Sequence, residues 1–85
     1  MSSETIEAVL KQRNATYGSF EEHAAITQAL KKLVFTGDTS KYTPSQREAL
    51  EMILHKVGRI ANGDPNYKDS WVDIAGYAKL IYDTL

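Results

Sequence analysis

Cysteine is absent from the 85 residues, which excludes a disulfide framework and a thiolate zinc site and predicts a reducing cytoplasm as the protein's home. The two histidines show no zinc-ligand spacing, and no nucleophile–base–carboxylate pattern suggests a triad. No signal peptide, lipidation motif or long apolar run is present, so neither export nor a membrane span is expected. An excess of charge is lacking too: ten basic residues against eleven acidic ones leave a net charge of −1. That argues against a DNA- or RNA-coating role, and an anionic ligand would need basic residues gathered locally. Low-complexity and tandem repeats are missing as well. A chain of this length makes one domain, residues 1–85. Such a domain buries roughly 60–65% of its unfolded surface, so staples or partners are often needed.

What is present reads as four helices. Ser2 or Ser3 can cap the first, with Glu4 in its first turn. Ile6, Val9, Leu10 and Arg13 share one stripe of it, so the arginine ends an apolar face. Tyr17-Gly18 breaks the chain, and Ser19-Phe20-Glu21-Glu22 reads as a capping box. The second helix is expected from Phe20 to about Phe35, with Ile26, Ala29, Leu30, Leu33 and Val34 inward and His23 packed on the same side. After a polar loop over 36–42, Thr43-Pro44-Ser45-Gln46 signals a third helix, which Asn62-Gly63 stops. Its core face reads Ala49, Leu50, Ile53, Leu54, Val57, Ile60 and Ala61. Asp69 can cap the last helix, which carries one face of Trp71, Ile74, Ala75, Ala78, Ile81, Tyr82 and Leu85. A second face holds Val72, Gly76, Tyr77 and Leu80, and also carries Asp69 and Asp73. A helix apolar on most sides is buried on most sides, and in so short a chain the second face implies another subunit. Gly58 and Gly76 sit inside helices, each at a cost of about 1 kcal/mol against alanine, and fit close approach of a backbone or ligand. The expectation is an all-α protomer, a compact bundle of about four short helices that oligomerises.

Three groups of residues carry chemistry. Glu48-x-x-Glu51 and Asp69-x-x-x-Asp73 place paired carboxylates on two helices, and facing pairs of hard oxygen ligands suit magnesium and a triphosphate. The same residues suit solvent, a cap and a neighbouring ion pair. Lys31-Lys32 and Lys56 with Arg59 are the basic pairs, able to hold phosphate through charge-assisted hydrogen bonds. Tyr17 ends a helix before a glycine, where its ring can stack on a nucleobase or cover the end of the core.

RNATYGSFEEH, QREALEMILHKVGRIANGDPNY and KDSWVDIAGYAKL together resemble small phage-encoded helical proteins. One relative is the MazG-like nucleoside triphosphate pyrophosphohydrolases, whose Glu-x-x-Glu helix precedes a Glu-x-x-Asp helix. Glu48 and Glu51 match the first half; Ser70 stands where a glutamate should precede Asp73, and Asp69 is offset by one. That offset turns a ligand by about 100° on a helix. The closer similarity is to the anti-CBASS protein two family, phage sponges for the cyclic oligonucleotide messengers of bacterial defence. It implies an interlocked homo-oligomer, a hexamer in that family, binding cyclic dinucleotides such as cyclic GMP-AMP, and cyclic trinucleotides in a separate pocket. It also implies no cofactor, no catalytic residue, no DNA, RNA or membrane partner, and action in the cytoplasm of an infected bacterium. On that resemblance the stacking residue is Tyr17 beside Gly18, and the phosphate-holding lysine is Lys32 with Lys31 beside it. Arg13 supports the loop, and Arg59 belongs to the trinucleotide pocket. The expectation is a binding protein rather than an enzyme, with a magnesium-dependent pyrophosphohydrolase using Glu48, Glu51, Asp69 and Asp73 as the alternative.

Overall fold

A computed structural model describes residues 3–85, with side chains from Thr5 onward. The cap expected of Ser2 or Ser3 and the first-turn role of Glu4 lie outside the described residues and side chains. The chain is all-α, with α1 at Ser3–Tyr17, α2 at Phe20–Val34, α3 at Pro44–Asn62 and α4 at Lys68–Tyr82. Its helix boundaries follow the local chemistry. Thr43 Oγ1 accepts from the Gln46 amide (3.1 Å) and Gln46 Oε1 accepts from the Thr43 amide (3.0 Å), a complete capping box in front of Pro44. At α2 one half of the expected box forms: Ser19 Oγ accepts from the Glu22 amide at 3.1 Å.

Asp69 does not cap α4. Tyr67 occupies the N-cap position and makes no side-chain cap bond. The turn before it explains this, because Asp64 takes the Asn66 amide on its carboxylate (2.9 Å) and the Tyr67 amide on its carbonyl (3.3 Å). The helix therefore starts at Lys68, with Asp69 already inside the first turn.

α3 is the strut of the fold, with α2 and α4 packed along it and α1 touching α2 and α3 sparsely. The inner surface is small and polar: Ala49, Gly58, His23, Thr27 and Ser70 are its buried residues. Two expected faces are rotated as a result. On α2 the buried residues are His23 and Thr27, flanked by half-buried Ile26 and Leu30, while Ala29, Leu33 and Val34 face out. Gly58 sets that rotation, since a Cβ there would meet the Thr27 hydroxyl and the His23 ring (3.1 Å to Cδ2). On α4 the inner stripe is Ser70, Asp73, Ile74, Tyr77 and Ile81, and Trp71, Ala75, Ala78, Tyr82 and Leu85 are exposed. An ion pair from Lys56 to Asp73 at 2.9 Å turns Asp73 toward α3 and fixes that register. On α3, Ala49 is buried and Leu50, Ile53, Leu54 and Ile60 are half-buried, whereas Val57 and Ala61 are exposed. The α1 stripe also lies open, with Ile6, Leu10 and Arg13 exposed.

Candidate functional site

The chain breaks after Tyr17 because Gly18 takes φ +76°, a left-handed conformation that other residues rarely adopt. Its position is also crowded, since a Cβ there would run into the backbone and side chain of Asn62. Asn62 is the clamp of this corner. Its Nδ2 donates to the carbonyls of Tyr17 (3.0 Å) and Ser19 (3.1 Å), on either side of Gly18. The Asp64 amide adds a bond to the Thr16 carbonyl at 2.7 Å. Backbone groups left open where α1 ends are thus satisfied by the end of α3.

Arg59 lies three residues before Asn62 and so projects near the same corner. Its guanidinium carbon stands 4.2 Å from the centroid of the Tyr17 ring, a cation–π stack. Tyr67 closes the edge of that ring, with centroids 5.7 Å apart and planes at 78°. Its phenol is held above the ordinary tyrosine value by Tyr17 beside it and then by the Asp69 carboxylate. Together with Leu10, Arg13, Gly18, Phe20 and His23, the stacked pair lines a cavity of about 320 Å³. Neither Arg13 nor Arg59 has a carboxylate partner among the described residues. The cavity thus gathers two guanidinium groups without a carboxylate partner and the Tyr17 ring, side-chain types chemically suited to a flat, anionic group.

Below the pocket, His23 is buried at 4% exposure and donates from Nε2 to the His55 carbonyl at 3.1 Å. It packs, as expected of it. The ring of His55 stands edge-on to it, with centroids 4.6 Å apart. Burial, and then the positive charge of Arg59, lower the His55 pKa to about 4. The imidazole is neutral at pH 7 and leaves Arg59 as the cation nearest the stack.

Arg13, Tyr17, Gly18 and Arg59 thus come together, but Lys31 and Lys32 do not line the cavity. They lie in the last turn of α2, about 18 Å along the helix from Phe20 at 1.5 Å per residue. Lys56 is drawn into its ion pair with Asp73, which leaves Arg59 alone of that basic pair. The four carboxylates of the alternative reading are dispersed. Glu48 is exposed, Glu51 approaches Arg47 at 4.0 Å, and Asp69 accepts from the Tyr67 hydroxyl at 3.3 Å. Among the described residues no three His, Cys, Asp or Glu side chains converge as a metal site would require. Two residues of the corner escaped the sequence reading. Asn62 was visible there as a helix stop and Tyr67 as part of a turn, and neither role implies a side chain reaching back to residues 17–19.

No helix among the described residues is long and apolar enough to cross a membrane. Comparison with curated proteins and with solved structures finds no match. Residues 3–84 match a family described as a domain of unknown function (DUF6378), and the chain belongs to that family.

Proposed function

We propose that this member of the DUF6378 family is a nucleotide-binding protein that captures cyclic oligonucleotide messengers and holds them without cleaving them. The observation that carries this reading is the Arg59–Tyr17 stack at 4.2 Å, in one pocket with Gly18 and Arg13. An aromatic ring takes a nucleobase face to face, and base stacking contributes about 1–3 kcal/mol. A guanidinium with its carbon 4.2 Å from that ring's centroid and no carboxylate partner keeps donors free for a phosphate. A glycine beside it lets the ligand approach the backbone.

Size favours a shared ligand. The 320 Å³ cavity lies at the lower end of ligand pockets, which run from about 300 to 1,000 Å³. It suits one base with its phosphate, so a cyclic dinucleotide would extend beyond one protomer. A homo-oligomer, hexameric on the resemblance to the anti-CBASS sponges, supplies the rest. In it Lys32, with Lys31 beside it, reaches the ligand from a neighbouring copy. The protein would act in the cytoplasm of the infected bacterium, where such messengers are made, with no nucleic-acid or membrane partner and no cofactor.

The test is calorimetry with cyclic GMP-AMP, followed by denaturation and analysis of the released nucleotide. Tight binding with intact nucleotide recovered is the expected result. Absence of binding to cyclic di- and trinucleotides alike would refute the reading. Pyrophosphate released from a nucleoside triphosphate with magnesium, and lost in Glu48→Ala or Asp73→Ala, would replace it with the pyrophosphohydrolase.

A further inference from the structure

Two helices of this protein carry an interior glycine, and the two have different surroundings. Gly58 is explained within the chain, because Thr27 and His23 occupy the space where its side chain would stand. Gly76 has no such neighbour, and a Cβ there would meet nothing within 4 Å. An interior glycine still costs a helix about 1 kcal/mol against alanine. Here the fold of the protomer offers no compensation for it.

The residues around Gly76 point outward from the chain. Val72, Gly76 and Leu80 follow one another at i, i+4 and i+8, one row on the helix surface. Val72 is 53% and Leu80 65% exposed, and with Asp73 and Tyr77 they outline a shallow depression of about 490 Å³. The protomer as a whole exposes 6276 Å², where a folded monomer of 9.5 kDa exposes about 5,000 Å². The excess exceeds the roughly 800 Å² that each partner gives to a stable interface of standard size. The surplus of the whole chain is large enough for a second chain to cover.

We infer that a second copy of this chain docks on the Val72–Gly76–Leu80 row, α4 against α4 about a twofold axis at Gly76. Self-complementarity identifies the occupant. The row presents a side chain, a gap and a side chain disposed evenly about Gly76, so a twofold axis there sets it against its own copy, as an isologous interface requires. The Val72 of one copy then lies toward the Leu80 of the other, and the two glycines let the helix axes come close. Two of the acidic groups on this side of α4 are already paired, Asp73 with Lys56 at 2.9 Å and Asp83 with Lys79 at 2.8 Å, and Asp69, about two turns from Gly76, accepts from the Tyr67 hydroxyl at 3.3 Å. The inference deepens the homo-oligomer part of the proposed function and does not depend on the ligand.

The experiment is light scattering of the full chain at micromolar concentration, beside Gly76→Leu and Leu80→Glu. The wild type is expected at twice the protomer mass or a multiple of it. Each variant is expected to fall to a smaller species with its helical circular dichroism unchanged. Within the protomer, a Cβ at position 76 meets nothing within 4 Å and Leu80 is exposed, so neither change disturbs the chain's own packing. The absence of cysteine allows a second measurement. Gly76→Cys should oxidise readily to a disulfide-linked dimer, while Ser45→Cys, exposed at the start of α3, should not. A monomeric wild type would overturn the inference, as would an oligomer that survives both variants or a Gly76→Cys that crosslinks no faster than Ser45→Cys. Titrating cyclic GMP-AMP into the same samples tests the ligand separately, so loss of one conclusion is not mistaken for loss of the other.

Discussion

At the scale of single residues, the pocket rests on a contact between positions 42 apart in sequence. Tyr17 and Arg59 each carry a side chain suited to a nucleotide, and their stacking at 4.2 Å makes one site of two. Tyr17→Ala removes the ring that receives a base, and Arg59→Leu removes a charged hydrogen bond of about 1.5–3 kcal/mol. Each should weaken cyclic dinucleotide binding by about tenfold or more in calorimetry, with unchanged circular dichroism. Arg59→Lys should restore little, because an ammonium neither lies flat on the ring nor offers a fork of donors. Unchanged affinity in both Tyr17→Ala and Arg59→Leu would remove the pocket from the binding site. His55 gives a second expectation at this scale. Folded, it takes a proton only near pH 4; unfolded, it does so near 6.5. Between those values the unfolded state binds more protons, so stability rises with pH across the window and falls on acidification. Melting temperatures from pH 7 to pH 4.5 should decline less steeply in His55→Gln than in the wild type. Parallel declines would show that His55 does not titrate in this way.

At the scale of helices, α1 is held chiefly at its end. Its body packs sparsely, and the Asn62 side chain bonds the carbonyls on both sides of Gly18. Asn62→Ala leaves two carbonyls without their partner, at about 1–3 kcal/mol if they stay buried. The expected outcome is a modest loss of overall stability and a much faster limited proteolysis around residues 16–19. A cleavage pattern identical to wild type would show that the corner is held by other means. The helices themselves were legible in the sequence because caps are local: Thr43-Pro44-Ser45-Gln46 and Ser19 with Glu22 act within four residues. The buried faces were less legible. Periodicity alone turned α2 toward Leu33 and Val34, but packing against Gly58 selected the face of His23 and Thr27. Tyr17, Gly18, Arg13 and Arg59 were readable as types suited to a nucleotide. Their convergence, and the absence of Lys31 and Lys32 from the pocket, depends on how α1, α2 and α3 meet, which no local pattern encodes.

At the scale of the molecule, the balance of buried and exposed surface is unusual for a chain that stands alone. Among the described residues Ala49 is the one buried hydrophobic residue, and no large side chain is fully buried. The radius of gyration is 14.8 Å, against about 12 Å for a typical globule of this length. Trp71, Val72 and Leu80 on α4 and Ile6 and Leu10 on α1 face outward. Hydrophobic burial is the main term that offsets chain entropy, so a protomer with so little of it should draw stability from its neighbours. Stability would then depend on protein concentration, since association favours the folded state by mass action. For a folded dimer that melts to separate chains, tenfold more protein adds about 1.4 kcal/mol. That should raise the melting temperature by about 3–5 °C for 170 residues unfolding together. Calorimetric scans from 10 to 100 μM test this directly, with Leu80→Glu as the comparison. The variant should melt lower and respond less to concentration. A wild-type melting temperature that also ignores concentration, with unfolding reversible, would mean that the protomer is stable by itself and that its open helix faces contribute nothing to its folding.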